Sequence, residues 1–463
     1  MLFRKFAATI ENFLKNEPNK ILLVNGARQI GKSYIIRYVG KKLFKNYVEI
    51  NFQEDKEHLK LFETVHGVED FYIQLGAIAG NKLGKKDDTL VFLDEIQSYP
   101  HMFTMLKFLN QEARYTYIAS GSQLGIALSQ TASVPIGSIS IEEMYPLDFE
   151  EFLIAMGCGA ETIAGVKEKM LSGETLNESM HNYMLQQFKT YLLVGGFPDA
   201  INEFLKSHNI AHVRKIHRDI HALYRINTSQ YETENKLVIR RIYDMIPSNM
   251  ENIKKRVVVN RIEDTKSHKL FKDYANEFEY LINSGIAVGV QAVSNPNFPL
   301  LESEKKNLLK LYLNDVGLLT YLLYGTNVHS ILQDQHSTNL GAVYETVVAQ
   351  ELHAHGHVLH YYDNKHKGEV DFLIDDYSGQ SVVPIEVKSG LDFKKHTSLD
   401  KFTGNTDYKI KEAYVLSNNH NVAKNGKITY LPVYSIMFFA STRMIERDDT
   451  IIPHLEVPVD LGG

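Results

Sequence analysis

Residues 20–38, KILLVNGARQIGKSYIIRY, constrain this chain more than any other stretch. Ile21, Leu22, Leu23 and Val24 form an apolar run that reads as a buried strand, and Tyr34, Ile35, Tyr38 and Val39 recur at helical spacing. Between them Gly26, Ala27, Arg28, Gln29, Ile30, Gly31, Lys32 and Ser33 satisfy G-x-x-x-x-G-K-[ST] at every fixed position. Strand, glycine-bounded loop and helix make a cradle for a triphosphate. Gly26 and Gly31 let successive backbone N–H groups approach phosphate oxygens where a Cβ would intrude. Lys32 reaches the β- and γ-phosphates, Ser33 supplies a hydroxyl ligand for Mg²⁺, and the positive end of the helix adds to the anion site. ATP with Mg²⁺ is the expected ligand.

At 463 residues the chain is long for one core, and a prior of roughly 150 residues per domain suggests about three. Hydrophobic residues make up 44% and charged ones 23%, an ordinary globular composition. The net charge of −6 gives no overall attraction to nucleic acid, so any DNA or RNA site has to be a local patch. Cys158 is the only cysteine, which excludes an intramolecular disulfide and a cysteine-based zinc site. No apolar run approaches the roughly 18 residues needed to cross a bilayer. The first residues place Phe3, Phe6, Ile10 and Phe13 at helical spacing rather than in the apolar core of a secretion signal. A soluble cytoplasmic protein without a membrane partner is expected.

A helix over 2–15 and a strand over 47–52 flank the loop region. Residues 89–97, TLVFLDEIQ, then supply an apolar run that ends in two carboxylates. A buried parallel strand there delivers Asp94 beside the phosphate loop, where it holds the Mg²⁺ shell, and Glu95 polarises the attacking water. A helix over 102–112 leads to a strand over 115–119 and then to Ser120, Gly121, Ser122 and Gln123. Ser120 and Ser122 are candidates to sense the γ-phosphate; the alternative is a simple turn.

Residues 26–33, 90–97, 120–124 and 139–152 (ISIEEMYPLDFEEF) resemble the AAA+-type ATPase half of prokaryotic two-part proteins in which a restriction-endonuclease-like domain follows the ATPase. The resemblance implies a P-loop parallel sheet over 1–156 with Asp94 and Glu95 as its acidic motif. No arginine falls in a motif that marks an arginine finger, and homo-oligomerisation stays open. Residues 157–179 read as a loop, so 157–234 is expected to be a linker and helical lid. Gly195, Gly196, Phe197 and Pro198 resemble the lid signature of related signalling ATPases, which would put Pro198 near the adenine; a helix–turn–helix punctuated by Gly and Pro fits equally. Residues 235–305 have winged-helix-like spacing. The outer face of the helix expected over 271–282 carries Lys272, Asp273, Asn276, Glu277 and Glu279, too acidic to read DNA, which favours a packing module.

In the last part of the chain, 308–323 (LLKLYLNDVGLLTYLL) is apolar at helical spacing. Downstream come a helix with Glu345, a strand with Asp371 and a strand with Glu386 and Lys388. Residues two apart on a strand share a face, so Glu386 and Lys388 point the same way, and an antiparallel neighbour brings Asp371 beside them. Carboxylates that close repel unless a divalent cation lies between them, which implies Mg²⁺ or Mn²⁺. The metal would hold a scissile phosphate, with Lys388 orienting the water or stabilising negative charge. The ordered set resembles the PD-(D/E)-x-K nuclease superfamily, with Val370 where its name has proline. The expected whole is an α/β chain: ATPase core, lid, winged-helix-like segment, a restriction-endonuclease-like domain over 306–445, and a tail over 446–463. ATP hydrolysis coupled to binding or cutting of nucleic acid is the function these features imply. The alternative is a nucleotide-dependent switch whose C-terminal domain only binds DNA or a protein.

Overall fold

The parallel sheet of the first third is built from β1 (Ile21–Asn25), β2 (Asn46–Asn51), β3 (Thr89–Asp94), β4 (Thr116–Ser120) and β5 (Ile139–Glu143). In the computed structural model, which describes residues 2–122, 124, 137–228, 236–252, 255–262, 270–332, 340–390 and 393–443, these strands lie in the order β2-β3-β4-β1-β5. Every neighbouring pair is parallel. β1 and β3 are buried along their whole length, which is why each reads as an unbroken apolar run. The order sets the C-terminal ends of β1, β3 and β4 side by side, and that edge is where an open α/β sheet binds ligands. The sequence expectations Gln123 and 446–463 lie outside the described residues.

A second sheet has eight strands: β6 (Ala287–Val293), β7 (Glu304–Leu313), β8 (His360–Asn364), β9 (Gly368–Asp376), β10 (Ser381–Lys388), β11 (Ala413–Ser417), β12 (Ala423–Asn425) and β13 (Ile428–Pro432). They run in the order β12-β13-β11-β10-β9-β8-β6-β7. β10 is antiparallel to β9 and parallel to β11. One apolar cluster extends from Phe6 and Ile36 through Tyr191 and Leu311 to Met437, so the two sheets share a core. A second cluster lies on the other side of the first sheet, around Phe52, Phe62, Leu93 and Phe103.

Several sequence expectations change. The first helix is Phe6–Asn16, and Phe52 starts a short helix capped by Asn51 instead of ending β2. The expected loop over 157–179 contains the helix Ala160–Leu171, whose buried stripe is Ile163, Val166 and Met170. Within residues 235–305, expected as a winged-helix-like packing segment, β6 joins the second sheet between β7 and β8, and β7 spans the expected boundary at 305 and 306. On the acidic helix, Glu277 is buried rather than outward. Residues 308–323, expected as one helix, divide into β7 and the helix Val316–Tyr324. Among the described residues no helix is long and apolar enough to cross a membrane.

The junction after β7 ties the two halves together. Asp315 is fully buried and caps the helix Val316–Tyr324, accepting from Leu318 N at 2.8 Å. Its other oxygen accepts from Gly196 N at 2.6 Å. Burial raises its carboxyl to about 6, against the backbone donors that favour the anion. Gly196 can carry no Cβ, because one would run into the backbone of Leu147. Asp315→Ala leaves two buried N–H groups unpartnered and removes a helix cap. The expected loss is about 2–4 kcal/mol, read as a lower urea midpoint at unchanged slope.

Candidate functional site

The phosphate loop leaves β1 and enters the helix Lys32–Leu43. Gly26 adopts φ 148°, and a Cβ there would collide with the carbonyl of Met144 at the end of β5. Lys32 lies inside the loop, its ammonium donating to Gly26 O at 2.9 Å and Ala27 O at 2.8 Å. Burial pulls its pKa down to about 8, with Glu95 and Asp94 pulling the other way. A phosphate seated in the loop would therefore meet an ammonium already stripped of water. Ser33 Oγ donates to Asp94 Oδ2 at 2.8 Å, and Ser120 Oγ donates to Asp94 Oδ1. This hydroxyl–carboxylate pair has the oxygen donors Mg²⁺ takes, so Ser33 and Asp94 would hold the ion, with Ser120 orienting the carboxylate.

Glu95 follows the strand at φ 53° and accepts from the side chain of Gln97. A cavity of about 580 Å³ opens over the loop, bounded by Lys32, Ser33 and Glu95 on one side and by Pro198, Asp199 and Asn202 on the other. The last three lie in the first half of the helix Pro198–Ser207, so Pro198, the end of the Gly-Gly-Phe-Pro element, lines this cavity. Ser122 is tied elsewhere than Ser120: its hydroxyl accepts from Arg28 Nε at 3.3 Å and Gln97 Nε2 at 3.4 Å. The sequence reading overlooked Arg4, which also lines the cavity and donates to Ile30 O at 3.2 Å and Tyr145 O at 2.6 Å. Its signal was weak, a single arginine in an otherwise apolar start.

The second set of residues gathers on the eight-stranded sheet. The β9–β10 pairing includes Ile385 opposite Phe372, which leaves Glu386 and Asp371 adjacent at the next step. Asp371 Oδ2 accepts from Val387 N at 2.8 Å, and Lys388 Nζ reaches Glu386 Oε1 at 2.6 Å. Glu386 Oε2 is buried without a hydrogen-bond partner. Burial and then Asp371 push the Glu386 carboxyl up to about 8. Glu345, on the helix Gly341–Ala354, is also held above the usual carboxylate range by burial and Asp371. It pairs with Lys255 and accepts from Tyr312 OH at 3.1 Å. Lys310 is fully buried and pairs with Glu369 at 2.5 Å. Burial works against its charge, yet Glu345, Glu369 and Asp371 keep the ammonium above the usual lysine range.

Among the described residues the site thus gathers four carboxylates and three lysines, of which the sequence reading named Glu345, Asp371, Glu386 and Lys388. Lys255, Lys310, Tyr312 and Glu369 were missed. Lys310 was legible in principle, since a lysine inside a run such as LLKLYL demands a buried anion. Among the described residues no group of three or more His, Cys, Asp or Glu side chains is disposed to hold a metal ion. Lysine ammoniums, a phenol and a backbone N–H engage the oxygens of Glu345, Asp371 and Glu386 instead.

Comparison with known proteins separates the chain into three matched segments. Residues 18–153 match the model of an AAA domain. This match supports an AAA-type ATPase in the N-terminal part of the chain. Residues 185–329 and 340–436 match two domains of unknown function, DUF8612 and DUF4143. An uncharacterised protein of Methanocaldococcus jannaschii is 24% identical over 371 residues, covering 78% of this chain and 73% of its own. A Walker-type ATPase of Pyrococcus abyssi is 14% identical, covers 70% of this chain and 96% of its own, and superposes with a TM-score of 0.42. AMPPCP-bound DnaA from Aquifex aeolicus is 13% identical, covers 56% and 82%, and has a TM-score of 0.23. At such TM-scores the reading of either site rests on its own geometry.

Lys32→Ala should weaken ATP binding by about 100-fold or more, because a desolvated ammonium facing phosphate cannot be replaced by water at equal strength. Glu95→Gln should bind within about threefold of wild type and lose turnover. Equilibrium binding of a fluorescent ATP analogue and phosphate release on both variants provide the check.

Proposed function

We propose that this chain uses ATP binding and hydrolysis at the AAA-type domain to control metal-dependent binding or cleavage of DNA or RNA at the Glu345, Asp371, Glu386 and Lys388 site. The observation that carries the coupling is the buried polar face of β7. Lys310 and Tyr312 are two apart in β7 and share a face, and Asn314 follows one residue past the end of the strand. Lys310 and Tyr312 reach Glu369 and Glu345. Asn314 Nδ2 donates to Tyr224 OH at 3.1 Å, and Tyr224 OH donates to the carbonyl of Arg28 in the phosphate loop at 3.4 Å. Asp315, next in the chain, holds Gly196 of the lid element. β7 and the two residues that follow it therefore touch both sites.

At the acidic site Asp371 and Glu386 would hold Mg²⁺ or Mn²⁺. The fit rests on the buried, unpartnered Glu386 Oε2 and on the mutual repulsion that lifts the Glu386 carboxyl. When bound, the ion would supply Lewis-acid activation of a phosphodiester. Lys388 would stabilise negative charge on the phosphate, and Lys255, which is partly exposed, would exchange Glu345 for a backbone phosphate. A second reading, a nucleotide-dependent switch that only binds DNA or a protein, draws on the three lysines that already neutralise the carboxylates. Homo-oligomerisation and a cytoplasmic location are part of either proposal.

Asp371→Asn should weaken Mn²⁺ binding measured by calorimetry without nucleotide, since an amide oxygen attracts a hard cation less than a carboxylate. Lys388→Ala should keep Mn²⁺ binding and slow cleavage of nucleic acid by roughly 10²-fold. Wild type that binds no Mn²⁺ at millimolar concentration and cuts no DNA or RNA, with or without ATP, leaves the switch.

A further inference from the structure

Beside the nucleotide cavity lies a second, open cavity of about 460 Å³, lined by Asn51, Gln53, Glu54 and Glu57. The two cavities share two wall residues, Arg28 and Glu95. Lys32 and Ser33 line the nucleotide cavity alone. The wall common to both cavities thus carries a guanidinium and a carboxylate beside the loop that would take a triphosphate. Arg28 is the third residue of the loop, and its side chain is held from two directions. Nε donates to Ser122 Oγ at 3.3 Å, at the end of β4, and Nη1 donates to Asn227 Oδ1 on the helix Ile210–Thr228. Asn227 is itself buried, and its carbonyl accepts from Tyr280 OH at 3.1 Å. Among the described residues Nη2 makes no hydrogen bond, so part of a five-donor fork is left over for another acceptor.

We propose that Arg28 is a catalytic residue of ATP hydrolysis acting in cis, with Ser122 and Asn227 as the residues that position its guanidinium on the γ-phosphate. The proposal rests on the ATPase reading of this domain. In the step, the water oxygen bonds to the γ-phosphorus as the bond from that phosphorus to the β,γ-bridging oxygen breaks. ADP leaves with the electron pair, and the water proton passes to Glu95. Arg28 gains no bond; it neutralises charge that grows on the γ-phosphate oxygens, an interaction stronger in the transition state than in the ground state. A structural role for Arg28, as a tie between loop and helix, would instead show itself in stability and affinity.

The experiment compares ATP turnover and nucleotide affinity for wild type, Arg28→Ala, Arg28→Lys and Ser122→Ala in the full chain. Arg28→Ala should lose about 10²–10³-fold in kcat while nucleotide Kd moves by about threefold or less. Arg28→Lys keeps the charge but not the fork, and should also be slow while melting as wild type does. Ser122→Ala should lose about tenfold in kcat with Kd unchanged. Millimolar guanidinium should restore part of the Arg28→Ala rate and none of the Lys32→Ala rate. Wild-type turnover per chain should not change on dilution. Arg28→Ala at the wild-type kcat, a loss confined to Kd, no rescue by guanidinium, or a per-chain rate that falls on dilution would each overturn the assignment. Wild type that binds ATP through Lys32 yet never hydrolyses it overturns the ATPase reading itself, a result distinct from an active enzyme indifferent to Arg28.

Discussion

From Leu309 onward β7 is buried, so each polar side chain there must find a partner: Lys310 and Tyr312 within the strand and Asn314 just past its end. Lys310 and Tyr312 are fully buried and Asn314 nearly so. Leaving a buried lysine unpaired costs several kcal/mol, so Lys310 demands Glu369 and the carboxylates behind it. Tyr312 demands Glu345, and Asn314 demands Tyr224. The outer edge of the strand is covered as well, Val257 N donating to Leu309 O at 2.9 Å. These requirements fix β7 relative to three other pieces of chain at once, and the two candidate sites are among them.

The two sites present opposite electrostatic problems with a related solution. At the phosphate loop one cation is buried against backbone carbonyls, and the missing charge is that of the ligand. At the second sheet the carboxylates outnumber the lysines, and Glu386 absorbs the imbalance by favouring its neutral form. Both arrangements place groups where an added ion or phosphate would relieve desolvation or repulsion already present in the folded chain. The junction between them is short. Asn314 and Asp315 are consecutive, one leading to the loop through Tyr224 and the other through Gly196 to the segment that precedes the helix Pro198–Ser207.

The first sheet was legible because parallel strands buried on both faces produce unmistakable apolar runs, and because loop residues with one permitted geometry come at fixed spacing. Ser33 and Asp94 could be placed together from the loop and the acidic strand end, while Ser120 was one of two candidates beside them. The second sheet was harder. In 308–323, Leu308, Leu311 and Tyr312 satisfy a helical period while Leu309, Leu311 and Leu313 satisfy a strand period, and an apolar run buried on both sides does not distinguish them. The helix Ala160–Leu171 was concealed by Gly, Ser and Glu around a three-residue stripe. Lys255, in a short basic run that reads as solvated surface, and Glu369 gave no sign of their roles, which exist only once distant segments meet.

The claim that β7 joins the nucleotide site to the acidic site is tested most directly by hydrogen–deuterium exchange with and without Mg²⁺–AMPPCP. The account predicts altered protection in the loop and lid and also in 304–315 and 368–388, with the distal change lost in Asn314→Leu although the analogue still binds. Protection changes confined to 18–153 in the wild-type chain would contradict it.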